Sequence, residues 1–193
     1  MYMKNVMLAL GAALVLTVAG CSSDSDSDST AADTTAASGV ESCPAEPTKA
    51  DASPQWTLKG ATGELEVVAA TENEAPKITV EAPFKVDETE VKTLVEGDGE
   101  VVAPTATVTV CYLGVNGRTG ERFDGNYREG GSPATFSLDG VIKGFSKAIA
   151  GEKVGSQVAV AMTPQDGYPQ GQPAAGIEPG DTLIFEIGIL SAA

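Results

Sequence analysis

The 193-residue chain contains no histidine. That absence removes the Ser-His-Asp and Cys-His arrangements, the usual zinc sites and any imidazole-based pH switch. Cations are scarce as well: 12 Lys and Arg stand against 27 Asp and Glu, a net charge of −15. Such a balance disfavours a phosphate backbone as partner, so nucleic acid is not expected. Aromatic residues make up only 5%, which makes each one worth placing. No phosphate-binding loop, dinucleotide fingerprint, internal repeat or long periodic helix is visible. The longest apolar run, residues 6–19, has the length of a secretory h-region and falls short of the roughly 20 residues of a membrane span. What is plentiful is turn-forming residue, with 22 Gly and 11 Pro.

The apolar run ends in Val18-Ala19-Gly20-Cys21. Small residues directly before a cysteine resemble the bacterial lipobox, in which the Cys sulfur is lipidated and becomes the mature N-terminus. Residues 1–20 then read as a signal peptide and Cys21 as the lipidation site. Two acyl chains anchor stably where one is marginal. This places the protein at the extracytoplasmic face of a bacterial cell membrane, as a lipoprotein. From residue 22 to 55, seven acidic residues oppose one Lys and large apolar residues are nearly absent. That composition cannot bury a core, so residues 21–55 read as a disordered acidic tether reaching roughly 30 Å. Its Asp-Ser repeat lacks the Gly and the closing Glu of a calcium loop, and no metal site is assigned. Outside the cytoplasm, Cys43 and Cys111 can pair or stay free; sequence leaves this open.

From Trp56 the pattern becomes short strands between Gly, Pro and Asp turns. Alternation puts Val108, Val110 and Tyr112 on one face of a strand and Thr107, Thr109 and Cys111 on the other. Val158, Val160 and Met162 share a face, as do Leu183, Phe185, Ile187 and Ile189. Shorter candidates lie at 65–69, 78–80, 91–95 and 135–138. Gly144–Ala150 is the single helical stretch, ended by Gly151. The expected class is α+β: an antiparallel sheet with one short helix over a face. Residues 56–90 carry enough apolar content to fold onto that core, as an added strand along its edge or outer face, and 91–193 form the principal domain.

Taken in order, the strings VKTLVEGDGEVV, VTVCYLG, GERFDGNYREG, FSLDGVIKGFSKAIAGEKVGSQVAVAMTP, GY and GIEPGDTLIFEIGIL resemble the FKBP-type peptidyl-prolyl cis-trans isomerases over about the last hundred residues. The resemblance implies a curled antiparallel β-sheet wrapped around one short helix, with an apolar pocket between them. It carries over position by position. Tyr112 stands at the strand Tyr, Phe123 and Asp124 at the Phe-Asp pair, and Phe136 at the aromatic of the following strand. Val141 and Ile142 precede the helix, and Phe145 takes the place of the pocket-floor Trp. Tyr168 matches the flap Tyr, and Ile177 and Phe185 flank and occupy the last strand. Arg128 corresponds to the Arg that partners the Asp. The sequence departs from the family in Ala134, where many members have a second pocket Phe, in Phe145 for Trp, in a short 138–141 loop and in a flap without His.

The chemistry implied suits these residues. An X-Pro bond exchanges in tens of seconds because the amide is a partial double bond. Resonance polarises the planar amide, and the twisted transition state loses that polarity. A dry aromatic pocket therefore favours the twisted form without nucleophile, metal or cofactor. Phe145, Phe185, Val141, Ile142 and Tyr112 would cradle the prolyl ring. The Ile142 N–H and the Tyr168 hydroxyl would bond substrate carbonyls, and Asp124 would orient and polarise. Asp124, Tyr168, Phe185 and Tyr112 are thus the candidate catalytic group, with Phe123, Arg128, Phe136, Val141, Ile142, Phe145 and Ile177 completing the substrate site. Expected partners are proline-containing unfolded or newly secreted polypeptides and tacrolimus-type macrolides, with the membrane met through the anchor. The competing classes are a binding or chaperone module with little activity, and a surface adhesion domain using the acidic face.

Overall fold

Strands in which branched apolar residues alternate with small ones can be covered on both sides, and three such strands build the centre of the molecule. They are β5 (Thr107–Asn116), β8 (Gln157–Met162) and β9 (Leu183–Ala192). In the computed structural model, which describes residues 42–193, they pair antiparallel in a six-stranded sheet. Its order is β4 (Glu90–Val95), β8, β9, β5 and β6 (Arg122–Gly125), with β7 (Ala134–Ser137) also paired to β5. The long β5 carries β7 against Thr107–Val110 and β6 against Leu113–Val115 on its outer edge. The helix α1 (Lys143–Ile149) lies on one face.

Helix α1 begins one residue before the expected Gly144 and ends at Ile149, because Ala150 is already extended and Gly151 takes φ 89°. It buries Gly144, Phe145, Ala148 and Ile149, the one-sided spacing a short amphipathic helix requires. Beneath it Val108, Val110, Val158, Val160, Met162, Leu183, Phe185, Ile187 and Ile189 form the main core.

The opposite face is covered by a second sheet of three strands, β1 (Trp56–Lys59), β2 (Thr62–Val68) and β3 (Lys77–Lys85), in that order. The sequence suggested shorter pieces here and gave no sign of β1. Leu65, Val67 and Phe84 pack on Ala159, Ala161 and Ile184 of the central strands. The two alanines explain the fit: small side chains on the outer face of β8 leave room for a ring. Phe84 is fully buried, worth roughly 1.5–3 kcal/mol.

Residues 42–55 correct the expected extent of the tether. They lie against the folded domain: Cys43 N–H donates to Gly131 O at 2.9 Å, Ala75 N–H to Glu46 O at 2.8 Å, and Gln55 N–H to Val67 O at 2.9 Å. Their low hydrophobicity is offset by these backbone bonds and by a covalent link. Cys43 is joined to Cys111 of β5, with S–S 2.01 Å and Cα–Cα 5.7 Å. The expected signal peptide, Cys21 and the rest of the tether lie outside the described residues.

Candidate active site

Between α1 and the concave end of the large sheet opens a cleft of about 460 Å³. It is lined by Tyr112 from β5, Asp124 from β6, Phe136 from β7, Phe145 from α1 and Phe185 from β9. Gly140, Val141 and Ile142, leading into the helix, and Tyr168, in the β8–β9 loop, complete it. Six chain segments thus deliver residues to one site, so it exists only in the folded domain.

Most of the rings contact one another edge to face, with Tyr112 and Phe185 tilted at 40° and 6.3 Å apart. Phe145 sits at the bottom, 5.8 Å from Tyr112 and 5.5 Å from Phe185, each at 90° between planes. Phe136 stands 6.0 Å from Phe145 at 81°. This geometry sets the positive edge of one ring against the negative face of the next and holds each in a fixed orientation. Phe145 and Phe185 are buried while Tyr112, Phe136 and Tyr168 are partly open. The floor is therefore dry and the rim meets water.

One carboxylate interrupts the apolar wall. Asp124 Oδ2 accepts the Tyr112 hydroxyl at 3.0 Å, and its Oδ1 accepts the Gly125 N–H at 2.8 Å. Burial and the neighbouring Asp124 push the Tyr112 hydroxyl up to about 12. Tyr112 is thus a neutral donor across the physiological range. None of the hydrogen bonds among the described residues uses the Ile142 N–H or the Tyr168 hydroxyl. Both remain available to a guest.

Three residues read as site residues stand elsewhere. Arg128 does not reach Asp124: its Nη1 donates to Gly125 O at 2.8 Å, while Tyr112 and the Gly125 N–H already satisfy the carboxylate. Phe123 lies behind the wall, 5.4 Å from Phe185 at 86°, supporting that ring rather than lining the cleft. Ile177 is buried in the core under the loop. Ala134 contributes nothing to the lining either.

Other contributors gave weaker signals. Gly114 faces the rings: a Cβ there would come within 2.8 Å of Phe185 and 2.9 Å of Phe123. The Gly two positions after the strand Tyr was the available hint. Asn126 is buried, with Oδ1 accepting the Tyr112 N–H at 2.7 Å and Nδ2 donating to Val110 O and Ser132 O, each at 3.1 Å. It replaces ladder partners where β5 passes from β6 to β7. At the far end of the β8–β9 loop, Asp181 accepts Arg118 Nε at 2.9 Å and Asn116 Nδ2 at 2.8 Å. Burial raises its pKa, but bonds from Arg118, Asn116 and the Glu178 N–H outweigh it and leave the carboxyl below its ordinary range. The anchor holds while that group is ionised.

Residues 99–190 match the family model described as FKBP-type peptidyl-prolyl cis-trans isomerase. A probable FK506-binding protein of Corynebacterium glutamicum is 32% identical over 122 residues, covering 62% of this chain and 99% of that protein. The chain belongs to the FKBP-type peptidyl-prolyl cis-trans isomerases. An FK506-binding protein of Streptomyces anulatus is 38% identical over 98 residues, 49% of this chain and 78% of that one. Among solved structures, the N-terminal domain of FKBP42 from Arabidopsis thaliana overlays with a TM-score of 0.50 at 18% identity, covering 55% of this chain and 87% of that domain. That likeness concerns the fold: an antiparallel FKBP sheet with its short helix. The family-model match begins after β4, so the three-stranded sheet and residues 42–55 lie outside it, whereas the 122-residue match to the Corynebacterium protein reaches back through β3.

Proposed function

We propose that this FKBP-type isomerase acts outside the cytoplasm, held to the membrane by lipid on Cys21, on proline-containing chains that are newly secreted or unfolded. The observation that carries the catalytic part is the cleft, five aromatic side chains around a dry floor with one carboxylate at its edge. A prolyl ring enters over Phe145, between Tyr112 and Phe185. The preceding carbonyl leaves water for an apolar wall, where a polar planar amide is less well solvated than a twisted one. The Ile142 N–H and the Tyr168 hydroxyl hold the flanking carbonyls, so rotation is confined to the X-Pro bond. Asp124, kept in place by Tyr112, faces the bond as its electrons localise. Each 1.4 kcal/mol of difference is tenfold in rate. No covalent step is involved.

The address rests on the Val18–Cys21 motif and on a Cys43–Cys111 bond, a type of linkage that persists in oxidising compartments. Tacrolimus-type macrolides fit the same reading as occupants of the cleft. The test is a protease-coupled prolyl-peptide assay on the whole protein, with and without tacrolimus, alongside membrane fractionation of Cys21→Ser. Turnover inhibited by the macrolide, and release of the variant from membranes, are expected. Client binding without turnover would favour a chaperone module, the reading prompted by Ala134 standing where many members have a pocket Phe. Retention of Cys21→Ser on membranes would remove the anchor.

A further inference from the structure

The β8–β9 loop is fixed at its near end by a polar node unlike the aromatic cleft beside it. Asp166 lies two residues before Tyr168 and is partly buried. Its carbonyl oxygen accepts the Gly144 N–H at 2.8 Å. That donor belongs to the first turn of α1, where amides lack partners within the helix, and Phe145 is the next residue. The side chain reaches in two further directions. Oδ2 accepts Lys147 Nζ from α1 at 2.6 Å and the Thr89 hydroxyl at 2.6 Å.

Thr89 comes from the link between β3 and β4, ahead of residues 99–190 that match the family model. Its hydrogen is committed to Asp166, so its oxygen is free to accept. It takes the Thr163 N–H at 3.2 Å, and the Thr163 hydroxyl lies at 3.5 Å. Thr163 is the first residue after β8. One threonine of the N-terminal link therefore clamps the root of the loop that carries Tyr168. One aspartate ties that root to the helix that carries Phe145. We propose that Asp166 is a positioning residue of the cleft, setting Tyr168 against Phe145, and that Thr89 couples the N-terminal sheet to catalysis through it.

The ion pair alone would not support this. Lys147 is 56% exposed, and exposed pairs contribute little. The weight rests on the convergence of helix, loop and link on one residue. Bonds from Lys147 and Thr89 outweigh burial and, with Lys143 nearby, hold the Asp166 carboxyl below its ordinary range, so it is a charged acceptor throughout neutral pH.

The test uses the whole protein and three variants: Asp166→Ala, Thr89→Val and Thr89→Ser. Valine has the shape of threonine without its hydroxyl, and serine keeps the hydroxyl. The readouts are kcat and KM separately on a prolyl peptide, the thermal midpoint, and amide exchange across residues 166–172. Asp166→Ala is expected to lower kcat about tenfold with little change in KM. Thr89→Val should lower kcat about threefold, and Thr89→Ser should match wild type. Exchange at 166–172 should quicken in the first two only. Wild-type kcat and exchange in both would overturn the proposal. So would a lowered midpoint with kcat of the folded enzyme unchanged, which marks a merely structural role. Should Asp166→Ala fail to fold, the isosteric Thr89→Val decides. An inactive wild type would break the enzymatic reading instead, and the exchange comparison would then decide the positioning claim alone.

Discussion

The two faces of the central sheet are covered in opposite ways. The inner face is covered by α1, seven residues long, against strands β5 and β9 of ten residues each. A helix rises 1.5 Å per residue and a strand about 3.3 Å, so the helix spans about 10 Å of a surface about three times longer. The uncovered part, lined with rings, is the cleft. The outer face meets three strands, a disulfide and the 42–55 segment, and Leu65, Val67, Phe84, Ala159, Ala161 and Ile184 are all fully buried there. One face is unfinished and acts; the other is finished and holds. Substitutions on the outer face should therefore cost stability, and those on the inner face turnover.

The largest effect is expected from Phe84→Ala. Removing a fully buried ring typically costs about 3–5 kcal/mol, a large share of an ordinary domain's stability. Denaturant unfolding should show that loss, while kcat of the folded enzyme at low temperature stays at the wild-type value. A fall in kcat beyond the unfolded fraction would mean that the faces are coupled more widely than through Thr89.

The outer face also has a flaw that sharpens the contrast. Glu186 of β9 is fully buried, with the Ala70 N–H donating to Oε1 at 3.2 Å, the Tyr127 hydroxyl nearby and Oε2 without a partner. Burial pushes its carboxyl from 4.5 up to about 8. An acid raised in this way folds as the neutral form. Stability is then highest below the unfolded value near 4.5, falls as pH climbs toward about 8, and levels off above it. Wild-type denaturant midpoints should drop between pH 5 and 8. Glu186→Gln, which keeps an acceptor for Ala70 without the charge, should flatten that slope and exceed wild type at pH 8. A slope unchanged in the variant would place the pH dependence elsewhere.

The inner face was legible in the sequence because its chemistry recurs at fixed spacing. Tyr112, Asp124, Phe136, Val141, Ile142, Phe145, Tyr168 and Phe185 all meet at one cleft. Misplaced residues were those whose role depends on backbone path. Arg128 turns toward the Gly125 carbonyl because two nearer donors already satisfy Asp124. The outer face was legible in outline only: residues 56–90 were expected to lie on the core as an added strand, and not as a sheet of three. Leu65 and Val67 alternate as any half-buried strand does, and nothing local says that Ala159 and Ala161 are small to receive them. Cys43 sits in a stretch too polar to suggest a fold, and its burial comes from a partner 68 residues away. Glu186 occupies an outward position that is ordinarily solvated in a one-layer sheet; the extra sheet turns it into a buried acid.

The smallest effect tests the finest feature of the inner face, a single hydroxyl. Tyr168 lines the cleft and its oxygen has no partner among the described residues, whereas the Tyr112 hydroxyl is spent on Asp124. Tyr168→Phe removes the donor proposed for a substrate carbonyl and leaves no internal acceptor stranded. Stability should therefore not change, and kcat/KM should fall by about threefold to tenfold, the worth of one hydrogen bond of 0.5–1.5 kcal/mol. Tyr112→Phe strands a carboxylate oxygen beside the cleft, so it should cost more in turnover than Tyr168→Phe. Equal losses in the two would mean that Asp124 needs no holding, and that the rings alone carry the selectivity for the twisted amide.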